Sequence, residues 1–393
     1  MIRNRRFWIG IIGLLLCVIA IVSSGLIDFD REPHFLVQRA RVVSVDDGRL
    51  SPDPDVHGMY IGRQTIEIEL LSGDHAGQLV RIENTLSRFF NHHATPGMEL
   101  LVSVMTGEDD AIVHVDVFSH SRGTFLYIFI GFFLLILILI GRKKGLYSAV
   151  SLLFTLVMVA FFMIPFILRG HSPVLLAVIT AGLTTVFTIF MVSDISLKSL
   201  AAIGGTLVGV TAAGVISILA GRFAHISGMH LDHAEEVFFL AGREMGGRVP
   251  ELLFAGVIIA ALGAVMDVGM SIASAVFEIK AANPKTDAKK LYRSGMRIGG
   301  DIMGTMSNTL ILAFAGTSIT VMVIIALHEL PHLRFINLNL VAIEIIQGLS
   351  ASIGLILAVP VTALLAALLA SDNKVSRFLK DKGKVVQKEE TEK

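Results

Sequence analysis

The sequence predicts an all-α polytopic membrane bundle of about eight transmembrane helices, with a small extracytoplasmic all-β domain between helices 1 and 2. Three observations lead to this fold class. Apolar residues make up 53% of the chain and charged residues 17%, and the mean hydropathy is +0.72. The apolar residues occur in runs of ~20, the length that an α-helix needs to cross the hydrocarbon. Residues 28–121 contain no such run and instead alternate between apolar and polar residues, which is typical of strands.

The predicted spans divide the chain into four parts. Residues 1–27 form an N-terminal transmembrane anchor, because their apolar run is long for a signal peptide; cleavage after Ser24 is the alternative. Residues 28–121 form the β domain, residues 122–371 a seven-helix transmembrane domain, and residues 372–393 a charged cytoplasmic tail. The predicted spans are 7–27, 124–141, 146–168, 173–192, 196–220, 250–273, 297–327 and 340–370.

The distribution of Lys and Arg predicts the orientation, because basic residues accumulate in cytoplasmic loops. If the N-terminus is cytoplasmic, that side receives the basic residues of segments 3–6, 142–144, 280–297 and 374–384, together with Lys198. The opposite side receives only Arg169, Arg222, Arg243, Arg248 and Arg334. An even number of spans returns the C-terminus to the side of the N-terminus. We therefore expect both termini in the cytoplasm and residues 28–121 outside it.

The β domain is predicted from alternating segments separated by turns. Thr65–Leu70 alternates strictly, and so do residues 98–105 and 111–118, which flank a turn at residues 107–110 and form a candidate hairpin. Residues 39–45 and 77–82 supply further strands. We expect a small antiparallel barrel or sandwich that resembles an OB-fold or a lipoyl-like hairpin unit, with no catalytic constellation.

Polar residues inside the predicted spans carry the strongest functional signal, because an ionisable side chain at the centre of a span costs about 2.5–3.5 kcal/mol. Two spans each place such residues on one helical face. The sixth contributes Asp267, Ser271, Ser274 and Glu278, and the seventh contributes Arg297, Asp301, Thr305 and Asn308.

The two polar faces are predicted to meet. The connection 281–295 is short and contains Asn283-Pro284, so the flanking helices should run antiparallel. Counting ~1.5 Å per residue, Asp267 then reaches the depth of Thr305 and Asn308, and Glu278 pairs with Arg297 near the cytoplasmic surface. We call this arrangement the polar seam. It is a path for a proton, ion or substrate, or alternatively a set of hydrogen bonds that only joins the helices.

A second polar cluster precedes the sixth span. His230, His233, Glu235 and Glu236 could hold a divalent cation, because imidazole and carboxylate are suitable ligands. Their spacing matches no established metal signature, and a polar interfacial loop is the alternative. We expect no other cofactor. The sequence contains no phosphate-binding loop, and the formal net charge of +0 gives no reason to expect nucleic acid as a partner.

Several motifs between Asp232 and Gly316 are long enough to indicate a family. They are Glu235-Glu236, residues 241–246, residues 266–271, Glu278, Asn283-Pro284 and residues 300–309. With them the chain resembles the YibE/F-like family of bacterial membrane proteins over residues 120–370. The resemblance implies a multi-pass protein of the bacterial cell membrane and no particular biochemical activity.

A second resemblance is one of layout. Spans six to eight resemble the fourth to sixth helices of RND and SecD/SecF membrane domains, in which Asp267 would occupy the acidic position of a proton relay. The segment 348–354, with Pro360 after it, resembles their last helix. The chain has no second Asp beside Asp267.

These observations favour a transporter, or the membrane subunit of one, coupled to a proton or ion through Asp267. The alternative is a non-transporting membrane scaffold or accessory protein whose β domain binds a partner. An enzyme is not expected, because the sequence contains no GxSxG motif and no paired-Asp motif with a clear nucleophile. The expected partners are the lipid bilayer and either a second copy of the chain or another membrane protein.

Overall fold

A computed structural model of the chain describes residues 2–24, 36–107, 111–226, 234–241, 245, 247–328 and 330–371. These residues form two compact units. One lies within residues 28–137, and the other combines residues 1–27 with residues 138–393.

The first unit contains a five-stranded antiparallel sheet in the order β3-β2-β1-β4-β5. The strands are β1 (Leu36–Pro52), β2 (Tyr60–Leu70), β3 (Leu79–Leu86), β4 (Glu99–Thr106) and β5 (Ile112–His120). β1 shifts register between Val42 and Ser44 and between Asp46 and Arg49, so one long strand can curve and pair with both β2 and β4. The two edge strands, β3 and β5, contact each other. The sheet is therefore barrel-like, as the sequence predicts.

Alternation of side chains builds the core of this barrel-like sheet. Ile66, Ile68 and Leu70 of β2 point inward and are fully buried, whereas Glu67 points outward, where its carboxylate accepts a hydrogen bond from Ser44 Oγ at 3.1 Å. The predicted hairpin forms β4 and β5, although the residues of its turn, 108–110, lie outside the described residues.

An ion pair between the half-exposed Arg88 and the buried Asp53 anchors the loop that follows β3. Arg88 donates from Nε to Asp53 Oδ2 at 2.6 Å and also contacts Asp55. The Arg88 guanidinium holds the pKa of the Asp53 carboxyl below its usual value, and the backbone amides of Asp55 and Val56 assist by donating to Asp53. The loop that begins at Ser87 is therefore tied to the end of β1.

The second unit is helical. It contains α1 (Ile2–Ser24), most of α2 (Gly123–Val157), α3 (Ile164–Leu168), α4 (Pro173–Ser193), α5 (Leu197–Phe223), α6 (Ala234–Ala241), α7 (Glu251–Ala282), α8 (Ala288–Thr317), α9 (Ile319–Leu327), α10 (His332–Ile336) and α11 (Asn339–Ser371). A π-helical turn, Met158–Met163, joins α2 to α3.

Five helices in the described part of the chain are long and apolar enough to cross a membrane: Gly123–Leu168, Pro173–Ser193, Leu197–Phe223, Glu251–Ala282 and Asn339–Ser371. α8 and α9, which are bent by 60° relative to each other, make a sixth if they form one span. The sequence predicts about eight spans because it separates 124–141 from 146–168 and counts the first apolar run. In the structure Trp8–Ser24 is a shorter apolar helix, and 123–168 is one helical stretch. That stretch is broken at Arg142, whose φ of 49° and ψ of −127° are not helical.

The helical unit is built around a close crossing of α5 and α11. A Cβ added at Gly209 would lie 2.8 Å from the carbonyl oxygen of Gly354, and one added at Gly354 would lie 2.6 Å from the carbonyl oxygen of Gly209. The two backbones therefore touch each other directly, which any side chain at these positions would prevent. α7 packs on both helices, since Val265 also contacts this crossing.

α8 runs antiparallel to α7 along its inner face. Gly295 lies against Val276 and Ala363, and one turn later Gly299 lies against Ile272 and Val359. This register confirms the antiparallel arrangement that the short connection predicts. α8 ends at the buried Ser318, and α9 continues at an angle of 60° to α8. The sequence does not reveal this bend inside the predicted span 297–327.

The α5–α11 crossing predicts a site-specific effect on stability. Gly354→Ala should destabilise the protein by about 1–3 kcal/mol, because the new methyl group must push two helices apart. Thermal unfolding of the purified protein in detergent should show a lower Tm.

Gly256→Ala on α7 is the matched control, since a Cβ at Gly256 meets no atom within 4 Å. It should leave the Tm unchanged or raise it slightly, because Ala favours helix more than Gly. Equal effects of the two substitutions would contradict the packing role of Gly354.

Candidate functional site

Asp267 lies at the middle of α7. α7 has 32 residues, Glu251–Ala282, so at ~1.5 Å per residue Asp267 is ~22–24 Å from either end. Its carboxylate makes no hydrogen bond or ion pair with any residue that the structure describes. The Asp267 side chain is exposed in this chain, and a carboxylate at this position of an apolar helix needs a partner, because lipid supplies neither water nor a counter-charge.

The structure confirms the predicted depth of Asp267 but not the predicted neighbour. Asp267 is five positions before Ile272 on α7, and Gly304 is five positions after Gly299 on α8, so Asp267 lies at the depth of Gly304, next to Thr305. α7 contacts α8 through Ile272 and Val276, which lie about 140–180° around the helix from Asp267. The two polar faces therefore point away from each other, and the predicted polar seam does not form between α7 and α8.

Asp267 instead lines a cleft between α2, α4 and α7, with a volume of about 440 Å³. Four hydroxyl side chains share this cleft with the carboxylate: Ser148, Ser151, Thr155 and Thr188. The other lining residues are Leu152, Val192, Ile259, Ala260, Leu262, Gly263 and Met266.

A hydrogen bond at the N-terminal ends of α4 and α7 sets the register between these two helices, which line the cleft. Ser172, just before α4, donates from Oγ to Glu251 Oε2 at the start of α7, at 2.6 Å. α4 and α7 run in the same direction from this point, and sixteen residues later they reach Thr188 and Asp267. The hydroxyl of Thr188 and the carboxylate of Asp267 are thereby brought to the same depth.

The hydroxyl groups on α2 present oxygen acceptors to the cleft. Ser151 Oγ donates its hydrogen to the carbonyl oxygen of Tyr147 at 2.9 Å, and Thr155 Oγ1 donates to the carbonyl oxygen of Ser151 at 3.0 Å. Each hydroxyl has then used its only donor and keeps free lone pairs. Together with the carboxylate, these oxygens form an acceptor-rich surface that suits a proton or a hard cation.

The remaining residues of the predicted seam lie on two separate surfaces. Ser271 and Glu278 are exposed on α7, and Ser274 is half-buried. On α8 the side chains that share the outer face are all exposed, namely Arg297, Asp301, Thr305 and Asn308. Thr305 donates to the carbonyl oxygen of Ile302 on its own helix, at 2.9 Å.

The expected ion pair between Glu278 and Arg297 is absent, although the structure describes both residues. The register explains this result. Gly295 lies opposite Val276, so Arg297 comes to the level of Ser274, one turn away from Glu278. Both side chains also project from outer faces rather than across the contact between the helices.

The predicted metal cluster is mostly outside the part of the chain that the structure describes. His230, His233 and the side chain of Glu235 fall there, while Glu236 is exposed on α6. Among the described residues, no three His, Cys, Asp or Glu side chains lie close enough together to hold a metal ion. The hypothesis of a metal site at these residues remains a prediction.

Sequence reasoning missed two features of the bundle. Ser148, Ser151 and Thr155 recur at a spacing of three and four residues, the signal of a single polar helix face within an apolar run. Glu344 is the second, an acidic residue in the first turns of α11 whose Oε2 is buried without a hydrogen-bond partner among the described residues. Glu344 lies close to the end of a predicted span rather than at its centre, so its position in the sequence does not distinguish it from an interfacial residue.

Comparison with known proteins supplies a family but no function. Residues 129–372 match the family model described as YibE/F-like protein. Neither a curated protein nor a solved structure matches the chain. The match covers the part of the chain that contains α4, α5, α7, α8 and α11, and hence the whole cleft.

We expect the cleft to contain water. In a Cys17→Ser background, which removes the only cysteine, Thr188→Cys should react with a small water-soluble maleimide, because a thiol reacts as its hydrated thiolate. Thr184→Cys, one turn away on the same helix and fully buried, is the matched control and should stay unmodified. Labelling would be followed by mass spectrometry of native membranes. Failure of Thr188→Cys to react would show that lipid or protein fills the cleft.

Proposed function

Since the chain belongs to the YibE/F-like family and is an integral membrane protein, we propose that it is a transporter, or the membrane subunit of one, and that it couples transport to a proton or cation at Asp267. One observation carries this proposal. The Asp267 carboxylate stands at the middle of an apolar helix, lacks a protein partner among the described residues, and lines a cleft with four hydroxyl groups.

The chemistry of the cleft favours a positively charged species. A carboxylate can bind a proton covalently or coordinate a metal cation, and the Ser151 and Thr155 oxygens can accept a hydrogen bond or complete a coordination shell. A residue that only joined helices would have its oxygens paired with donors on a neighbouring helix. Asp267 has no such donor among the described residues.

The position of the cleft supports a path from one membrane surface to Asp267. Ser148 lies six residues after the break at Arg142, and Val192 lies at the end of α4. Both are therefore close to helix ends that carry Lys143, Lys144 and Lys198, which we place on the cytoplasmic side. The cleft leads from there to Asp267 and resembles a half-channel that a proton or cation enters from the cytoplasm.

A scaffold or accessory protein is the second candidate, and one observation on the β domain favours it. Phe89 and Phe90 are 95% and 70% exposed, although the loop that carries them is held by a hydrogen bond from Phe90 N to Ser87 Oγ and by the Arg88–Asp53 pair. Two adjacent exposed aromatic side chains on an anchored loop are typical of a binding surface. In this alternative the β domain recruits a partner, and the helices anchor it.

The transporter proposal predicts that Asp267→Asn abolishes activity while expression and folding stay intact, because Asn keeps the shape of Asp but cannot change its charge. The measurement is flux into liposomes across a panel of cations and small solutes, at several pH values. Glu278→Gln is the matched control, since it removes a carboxylate from the same helix outside the cleft, and Asp301→Asn should also be milder than Asp267→Asn. Transport by Asp267→Asn at the wild-type rate and pH profile would leave the scaffold as the leading candidate.

The proposal includes a topology with about eight spans, both termini in the cytoplasm and the β domain outside. It rests on the bias of basic residues and on the break at Arg142, which lets residues 123–168 cross twice. Paired fusions of an enzyme active only in the cytoplasm and one active only outside, placed at position 90 and at the C-terminus, should report opposite sides. The same side at both positions would reject the topology.

A further inference from the structure

The outer face of α8 bears charged and polar side chains that no neighbouring helix of the described chain covers. Arg297, Asp301 and Asn308 are exposed and make no hydrogen bond or ion pair with any described residue. The register with α7 places Asp301 about one turn closer than Asp267 to the connection that joins α7 and α8, and Asn308 about one turn further from it. Arg297 is long enough to reach a membrane surface, whereas the shorter Asn308, about three turns further along α8, is not. A protein partner on this face would satisfy both the Asn308 amide and the Asp301 carboxylate.

Glycines distinguish the two faces of the same helix. On the inner face, Gly295 and Gly299 are packed tightly against α7 and α11. On the outer side, a Cβ at Gly300 or Gly304 would meet no atom within 4 Å, so the fold of a single chain does not require glycine there. Gly300 and Gly304 are four residues apart, the spacing at which two membrane helices approach each other most closely.

We propose that the outer face of α8, defined by Arg297, Gly300, Asp301, Gly304 and Asn308, is the interface with a second copy of this chain. The two α8 helices are parallel and related by a two-fold axis along the bilayer normal. Gly304 of each copy lies at the crossing. Arg297 of each copy lies one turn below Asp301 of its partner, within reach of an Arg side chain, so the two ion pairs are equivalent and the interface is neutral.

A second copy fits this face better than an unrelated protein because the face is complementary to itself. It carries one acidic and one basic residue at positions four apart, so a two-fold axis brings opposite charges together twice. An unrelated partner would have to supply a matching carboxylate and guanidinium at the same depths. The α8 residues of the polar seam, which the sequence assigns to a path within one chain, thus form a contact between two chains in this proposal.

Cysteine cross-linking tests the interface in native membranes. In the Cys17→Ser background, Gly304→Cys should form a disulfide-linked dimer on mild oxidation, because a disulfide spans Cα atoms ~4.4–6.8 Å apart and helices that cross at small residues approach each other closely. Val208→Cys is the matched control. It lies next to Gly209, which contacts Val265, so it is at similar depth, and it is 46% exposed on α5. It should yield about tenfold less dimer or none.

Substitutions on the same face identify the occupant. Arg297→Asp and Asp301→Arg should each abolish the dimer, read from Asn308→Cys cross-linking, and the double substitution should restore it. Gly304→Leu should reduce dimer about tenfold or more without unfolding the chain, because a side chain there meets nothing within the protomer. The proposal is overturned if Gly304→Cys forms no more dimer than Val208→Cys, if it links to a protein of different mass, or if the double substitution fails to recover cross-linking. These readouts measure association, so their outcome is independent of transport.

Discussion

The direct backbone contact between α5 and α11 is the interaction on which the helical unit depends. Lipid is as apolar as a leucine side chain, so burial of apolar surface alone does not hold helices together in a bilayer. Association must come from close packing, and Gly209 and Gly354 allow it by bringing two carbonyl oxygens and two Cα atoms into contact. α7 and α8 then pack on this pair through Val265, Ile272 and Gly299.

This packing leaves α7 with two faces of different character. One face is committed to α5, α8 and α11 and is apolar or glycine-rich, so it offers no room for a charge. The other face turns toward α2 and α4, where the helices separate and a cleft forms around Asp267. The tightly packed positions near Asp267 are occupied by the fully buried Val265, Val268 and Ile272. The carboxylate therefore lies on the side of α7 that faces the cleft.

The same constraint separates the polar residues of α8 from those of α7. A helix packed through glycines at one face must project its long side chains from the opposite face, so Arg297 and Asp301 point out of the bundle. The polar faces of the two helices match in depth because the connection between them is short. They differ in direction because the packing of Ile272 and Val276 sets the rotation of each helix. Depth and direction therefore have different physical origins, and they lead to two distinct surfaces in this protein.

The sequence alone determined the membrane class, the barrel-like sheet, the antiparallel order of α7 and α8 and the depth of Asp267. Each of these follows from a local property: the length of an apolar run, the alternation around Ile66 and Ile68, or the proline after Asn283. The rotation of each helix, the hydroxyl groups of Ser151 and Thr155 beside Asp267, and the bend at Ser318 were decided only by the tertiary structure. A polar stripe on a membrane helix can face a neighbouring helix, a cleft or a second chain, and the sequence pattern is the same in all three cases. The choice depends on which glycines contact which backbones, and those contacts join residues as distant in sequence as Gly209 and Gly354.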